Sequence, residues 1–173
     1  MQVTRLEQIL DLIKPLPRKR LVAAWGVDPH TICAVYQAVD MDLIEGTLVG
    51  DEKQIYQVCE TEQIDPSRFK IVHSESDIEA AAKAVDMINA GEGDFLLKGL
   101  LSTDRYMKAI LHKEKGLMDK GAILSHVTVA EIPTYHKLLI FGDVAIIPLP
   151  DLNQKIAITN YLIKIAHYLG IEN

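Results

Sequence analysis

A lysine and a glycine end a short apolar segment of the chain, and two hydroxyl residues follow them. The stretch reads Lys98-Gly99-Leu100-Leu101-Ser102-Thr103, after the apolar residues 95–97. Lysine supplies positive charge, glycine lets a ligand approach the backbone closely, and hydroxyl groups donate hydrogen bonds. A helix beginning here would add the partial positive charge of its free N–H groups. The stretch therefore suits an anion, although an ordinary turn with Thr103 as a helix cap fits the same residues.

The pattern of apolar residues predicts the elements that would position this stretch. Buried parallel strands are predicted at 20–25, 47–49, 69–72 and 95–97. Each is followed by a helix-capping residue, in order Asp28, Asp51, Ser76 and Thr103. This alternation predicts an α/β fold with a mostly parallel sheet and flanking helices. Such sheets bind ligands outside the carboxyl ends of their strands, where three of the four loops carry a carboxylate and the Lys98 loop does not.

After Gly121 the pattern changes to a predicted hairpin and a long helix. Residues 123–132 and 138–141 are β-rich around a turn, so we expect antiparallel strands that extend the sheet. Asp151 and Gln154 predict a capping box at the start of the last helix. The predicted inner face of that helix consists of Leu152, Ile156, Thr159, Ile163 and Ala166. We divide the chain into an α/β domain, 1–122, and a further segment, 123–173, and expect a fragment of a longer protein.

Composition argues against several classes of function. Hydrophobic residues make up 49% of the chain, enough for a sizeable core, and the net charge of −6 disfavours nucleic-acid binding. Cys33 and Cys59 have no zinc-site spacing, so no metal site is predicted. The N-terminus has no signal-peptide pattern, and no apolar run approaches the roughly 18 residues of a membrane span. We expect a cytoplasmic protein that binds neither nucleic acid nor membrane.

Two further positions have side chains that suit a ligand site. Ser125 and His126 lie at the start of the predicted hairpin, and Asp143 follows the apolar segment 138–141. Ordinary structural roles fit the same residues equally: Ser125 as a hydroxyl on a strand, His126 as a half-buried histidine and Asp143 as an acid that caps a turn. An acid at a strand end also suits orienting or deprotonating a ligand.

Several stretches, in the same order, resemble the phosphate acetyl/butyryltransferase family, and most of all its phosphate butyryltransferases. The main ones are Asp94–Thr103, Leu111–Leu117, Leu124–Val127 and Asp143–Ala145 with Pro150. The resemblance implies a reaction in which acyl-CoA and phosphate give acyl phosphate and CoA, with butyryl or another short acyl group. Coenzyme A would be a substrate, and no cofactor or metal would be bound permanently. It further implies two α/β domains of the isocitrate/isopropylmalate dehydrogenase type. Residues 1–122 would be the first domain, and residues 123–173 would be the start of the second. The resemblance also implies a homodimer or larger homo-oligomer.

The resemblance also assigns roles to residues. Those expected to bind phosphate or substrate are Lys98, Gly99, Ser102, Thr103, Lys108, Ser125 and His126. Ser125 and His126 would donate hydrogen bonds to phosphate or the acyl carbonyl, and Asp143 would position them. The family's catalytic base and serine are expected beyond Asn173.

Two positions depart from the family pattern, and two alternatives stay open. Lys108 and Ile147 stand where many members have arginine and asparagine, and a lysine lacks the two-pronged guanidinium that suits phosphate. Arg105, one turn earlier, offers compensating charge. One alternative is a non-catalytic binding or assembly module of the same fold. The other is an NAD-dependent decarboxylating dehydrogenase, for which the required aspartate and arginine cluster is not found.

Overall fold

The computed structural model describes residues 2–171. Its helices are α1 (Glu7–Ile13), α2 (Pro29–Asp40), α3 (Glu52–Thr61), α4 (Asp77–Asn89), α5 (Thr103–Ile110) and α6 (Leu152–Tyr168). Its strands are β1 (Lys19–Ala24), β2 (Ile44–Gly50), β3 (Phe69–His73), β4 (Phe95–Lys98), β5 (Thr128–Ala130) and β6 (Leu139–Phe141). Within residues 2–171, none of the helices combines the length and apolar character needed to span a membrane.

The chain forms two compact units. One is Pro17–Asp119, and the other combines the residues before Pro17 with those after Asp119. The sequence-based division into 1–122 and 123–173 differs from this one in its placement of the N-terminal residues. Val3 is buried together with Leu138 and Leu169, and its N–H donates to the Leu169 carbonyl at 2.9 Å. These contacts link the first residues to the last helix, and they join positions too far apart in sequence to be read from local pattern.

A four-stranded parallel sheet forms the centre of the unit Pro17–Asp119. The strand order is β3-β2-β1-β4, and every neighbouring pair is parallel. The prediction of an α/β fold with a mostly parallel sheet is confirmed. Because β4 lies beside β1 and not beside β3, the order of strands reverses between β1 and β4. Such a reversal marks the crevice in which open α/β sheets bind ligands.

Strand β1 is buried on both faces, which explains its continuous apolar sequence. Leu21 and Ala23 belong to a core with residues of α2 and α3. Val22 and Ala24 belong to a second core with the alanines of α4. Helices therefore cover both faces of the sheet, and the strand ends are left to form the edge on which ligands can bind.

Local capping signals place the helix starts. Asp28, Asp51 and Ser76 cap α2, α3 and α4 as predicted, each accepting a backbone N–H three residues on. The predicted cap of α5 is wrong by one residue, since Ser102 and not Thr103 is the cap. Ser102 has an extended backbone and its Oγ accepts the N–H of Arg105 at 3.3 Å, whereas Thr103 is already helical.

The second unit contains the predicted hairpin and the long helix. Strands β5 and β6 pair antiparallel, as predicted, but they form a separate two-stranded sheet and do not extend the parallel one. The capping box of Asp151 and Gln154 at the start of α6 is confirmed.

The predicted inner face of α6 is wrong. Three of its members, Leu152, Ile156 and Ile163, are 73%, 52% and 47% exposed. Ile158 is buried instead, and Ile165 packs in the cluster of Val3 and Leu138. Apolar residues occur on both sides of this helix, so spacing alone could not decide which side packs.

Candidate functional site

The loop after β4 is held against the loop after β1, at the reversal in strand order. Lys98 pairs with Ala24 at the carboxyl ends of their strands. The N–H of Gly99 donates to the Ala24 carbonyl at 2.9 Å, and that of Leu100 donates to the Trp25 carbonyl at 3.0 Å. A Cβ at Gly99 would overlap the Trp25 carbonyl, so this contact requires glycine. The Lys98-Gly99 stretch therefore lies where the fold favours ligand binding.

The rest of this loop leads into α5. Leu101 is 6% exposed and belongs to the core of α4 alanines, so it anchors the loop. Ser102 caps the helix, and its Oγ accepts the Arg105 N–H, which leaves the hydroxyl proton free to donate. Thr103 and Lys98 are exposed, and within residues 2–171 Lys98 forms no ion pair. The connection from β4 to α5 therefore begins with a lysine and ends with two hydroxyl residues at the helix start, residue types suited to binding an oxyanion.

The two cations of α5, Arg105 and Lys108, already have carboxylate partners. Arg105 donates from Nη1 to Asp77 Oδ1 at 2.7 Å, and the hydrogen bond and charge of Asp77 raise the pKa of Arg105. Arg105 is therefore not the free compensating charge that the sequence suggested. Lys108 Nζ lies 2.8 Å from Asp104 Oδ2, but both side chains are highly exposed, so water screens this pair and it can open readily.

Lys108 lies apart from the other predicted ligands in this unit. It lines a shallow cavity of about 520 Å³ between α4 and α5, together with Ile78, Ala82 and Ala109. Lys98, Ser102 and Thr103 are not among the lining residues of this cavity. Lys98, Gly99, Ser102 and Thr103 thus lie along the connection from the end of β4 to the start of α5, and Lys108 lines the adjoining groove.

Carboxylates in the neighbouring loops are used as helix caps. Asp28 Oδ1 accepts the N–H of Thr31 at 3.0 Å, and Asp51 Oδ1 accepts that of Gln54 at 3.0 Å. The bond from Gln54 lowers the pKa of Asp51, so this cap stays ionised. The helix starts after β1 and β2 are therefore already met by negative charge, whereas α5 has a neutral hydroxyl cap.

Ser125 and Asp143 lie together in the other unit, at the open end of the hairpin. Ser125 Oγ donates to Asp143 Oδ2 at 3.1 Å. Asp143 Oδ1 accepts two backbone N–H groups, from Ala145 at 3.0 Å and from Ile146 at 2.7 Å. Burial alone would raise the pKa of Asp143, but the hydrogen bonds from Ile146, Ala145 and Ser125 outweigh it and lower that pKa. Asp143 is a fixed carboxylate anion.

His126 and Ile147 border this pair. His126 Nδ1 lies 3.3 Å from Thr128 Oγ1, so the ring bonds within its own segment and not to Asp143. A Cβ at Gly142 would overlap the His126 carbonyl, so Gly142 lets the segments before β5 and after β6 approach closely. Ile147 lines a cavity of about 330 Å³ formed by residues 143–148.

Sequence reasoning missed two residues that shape these sites. Asp77 directly follows the cap Ser76, and nothing local in the sequence indicates that its carboxylate binds Arg105 on α5. Gly142 was not singled out, although a glycine directly before a strand-end acid is a signal for close backbone approach.

Comparison with known proteins identifies the family. A sequence model described as phosphate acetyl/butaryl transferase matches residues 77–173, more than half of the chain. Phosphate butyryltransferase of Clostridium acetobutylicum is 33% identical over 171 residues, which cover 99% of this chain and 56% of that protein. Phosphate acetyltransferase of Thermotoga maritima is 32% identical over 167 residues, which cover 96% of this chain and 56% of that protein.

A solved structure shows the same fold. A branched-chain phosphotransacylase from Enterococcus faecalis matches with a TM-score of 0.72 and 24% identity, over 86% of this chain and 51% of that one. At this identity the likeness concerns the fold alone. The chain spans about half the length of the curated relatives it matches. The resemblance found in the sequence is confirmed, and the chain belongs to the phosphate acetyl/butaryl transferase family.

Proposed function

We propose that the chain takes part in moving an acyl group between coenzyme A and inorganic phosphate. One observation carries this proposal: the segment that matches the family, 77–173, contains every residue predicted to bind phosphate or substrate. The loop after β4 supports it independently, because it combines a lysine that has no ion-pair partner within residues 2–171, a helix start and a neutral cap at the reversal in strand order.

In the proposed reaction a phosphate oxygen attacks the thioester carbonyl of acyl-CoA. The new carbon–oxygen bond forms, the carbon–sulfur bond breaks, and the CoA thiolate leaves and takes up the proton that hydrogen phosphate loses. Lys98 and the hydroxyls of Ser102 and Thr103 would bind phosphate. Gly99, whose N–H is bonded to the Ala24 carbonyl, would hold this segment in place. Lys108, in the adjoining groove, would bind phosphate or substrate after releasing Asp104. Positive charge and donors fixed before the reaction lower the cost of charge that develops in the transition state. The catalytic base and serine implied by the resemblance have no assigned counterpart among residues 2–171.

The finer assignments belong to the same proposal. A short acyl group is supported by the named relatives, but the butyryl and acetyl enzymes are 33% and 32% identical, so identity does not choose between them. We further propose a cytoplasmic homo-oligomer that uses coenzyme A as substrate without a permanent cofactor. The whole protein would have two domains of the isocitrate/isopropylmalate dehydrogenase type.

The test is phosphate-dependent release of the CoA thiol from acetyl-, butyryl- and branched acyl-CoA. Lys98→Ala should raise the phosphate KM at least about tenfold, since a hydrogen bond to a charged group is worth about 1.5–3 kcal/mol. Lys53→Ala, an exposed lysine of α3, is the matched control and should leave the phosphate KM unchanged. No release with any acyl-CoA would contradict the catalytic proposal. If Lys108→Ala keeps the wild-type kcat and phosphate KM, Lys108 is not part of the phosphate site.

A second candidate is a non-catalytic binding module of the same fold. Calorimetric binding of phosphate without any CoA release would support the module. Turnover by the 173-residue chain would exclude it.

A further inference from the structure

The hydroxyl of Ser125 has a fixed direction, and this sets what it can offer a ligand. A serine hydroxyl has one proton to donate and two lone pairs that accept. The single proton of Ser125 points to Asp143 Oδ2, at 3.1 Å. The Ser125 side that faces away from Asp143 therefore presents lone pairs only.

Asp143 cannot reverse this direction. Its Oδ1 is already occupied by the N–H groups of Ala145 and Ile146. These bonds hold the carboxylate in one orientation, and they stabilise the ionised form, which has no proton to give to Ser125. Rotating the Ser125 hydroxyl toward a ligand would leave Oδ2, in a partly buried position, without its donor.

We propose that Asp143 makes Ser125 a hydrogen-bond acceptor, so that this position selects hydrogen phosphate, which keeps one O–H group, over sulfate, which has none. The inference rests on the proposed function, in which Ser125 is one of the residues predicted to bind phosphate or substrate. It reverses the expectation that Ser125 donates to phosphate. Asp143 is a positioning residue here, since it acts through the Ser125 hydroxyl. Sulfate at this position would set oxygen lone pairs against oxygen lone pairs, beside a fixed carboxylate.

The experiment compares the dissociation constants of phosphate, arsenate and sulfate for the 173-residue chain by calorimetry at constant ionic strength. Wild type should bind sulfate at least about tenfold more weakly than phosphate, since this is the usual consequence of an unmatched polar contact. Arsenate keeps an O–H group at neutral pH and should behave as phosphate does. In Asp143→Asn the carboxamide can donate a hydrogen bond to Ser125, which frees the serine proton to donate to a ligand. The ratio of the sulfate dissociation constant to the phosphate dissociation constant should therefore fall toward one. Ser125→Ala should also lose the preference, and it leaves the backbone bonds of Asp143 in place.

A second serine–aspartate pair provides the matched control. Ser67 Oγ donates to Asp65 Oδ2 at 2.8 Å, and the Ser67 N–H donates to Asp65 Oδ1 at 2.9 Å. This pair lies in the unit Pro17–Asp119, outside every predicted ligand position. Asp65→Asn should therefore keep the wild-type ratio.

The outcomes separate the inference from the proposed function. Equal affinity of wild type for sulfate and phosphate overturns the inference alone, as does an unchanged ratio in both Asp143→Asn and Ser125→Ala. Failure of wild type to bind phosphate at all overturns the proposed function and the inference with it. Circular dichroism of each variant confirms that the protein compared is folded.

Discussion

Replacing Gly99 with alanine tests whether the site loop depends on close backbone contact with the loop after β1. The new Cβ would lie 2.8 Å from the Ala24 carbonyl oxygen and would overlap that of Trp25. The same two carbonyls accept the N–H groups of Gly99 and Leu100. Relieving such an overlap costs about 1–3 kcal/mol, and a shift that breaks one of the two hydrogen bonds adds about 1 kcal/mol. We expect Gly99→Ala to lower the free energy of unfolding by about 2–4 kcal/mol.

Urea unfolding followed by tryptophan fluorescence measures this loss, because the chain has a single tryptophan, Trp25, in contact with the loop. For a protein of this size the expected fall in Tm is roughly 4–16 °C. Gly91 is the matched control, since its φ is +72° and no atom lies within 4 Å of an added Cβ. Asparagine tolerates this backbone region, so Gly91→Asn should be nearly neutral, whereas Gly99→Asn should destabilise at least as much as Gly99→Ala. A Gly99→Ala variant within about 0.5 kcal/mol of wild type would refute the reasoning.

Three further outcomes follow from contacts of single side chains. Asp77→Ala should lower Tm because it leaves the Arg105 guanidinium without its carboxylate, and a double-mutant cycle with Arg105→Ala should show favourable coupling between the two. The pKa of Glu79 is lowered from 4.5 to about 2, chiefly by its hydrogen bond with Lys83. The ionised Glu79 therefore stabilises the folded state fully above its unfolded-state pKa of 4.5, and this stabilisation is lost as pH falls from 4.5 to about 2. Glu79→Gln should therefore flatten the Tm profile in that acid range, and an unchanged profile would contradict the assignment. The Cys59 thiol is 1% exposed and burial raises its pKa, so it should react with a thiol reagent only after unfolding, which a urea titration of the reaction rate checks.

The alternation of strands and helices could be predicted because most helices begin with signals that are local in the sequence. Asp28 and Asp51 each bond a backbone N–H three residues on, so the cap and its partner are read together. Strand limits were less predictable. Strand β2 begins at Ile44, before the predicted residue 47, because Glu45 and Gly46 interrupt the apolar pattern although they pair with β1. Backbone pairing with a neighbouring strand does not need an apolar side chain, so composition could not reveal it.

Some features of the candidate site can likewise be predicted from local sequence, whereas others depend on tertiary contacts. The position of Lys98 and Gly99 at a strand end follows from the sequence and from the general rule for parallel sheets. The partner of Arg105 does not, because Asp77 lies on another helix, 28 positions away. The direction of the Ser125 hydroxyl depends likewise on Asp143, 18 positions away. Residue types therefore predict which side chains are candidates for binding a ligand, and the pairing between elements decides which of these candidates still has a free charge or proton.

The helix caps explain why the loop after β4 suits an anion better than the loops beside it. Asp28 and Asp51 place a formal negative charge at the starts of α2 and α3, which offsets the partial positive charge there. Ser102 caps α5 with a neutral hydroxyl. The carboxylates near the start of α5 are each matched by a cation, in the pairs Asp77–Arg105 and Asp104–Lys108. Within residues 2–171 Lys98 has no ion-pair partner, and the start of α5 has a neutral cap, so the connection between β4 and α5 suits an incoming phosphate.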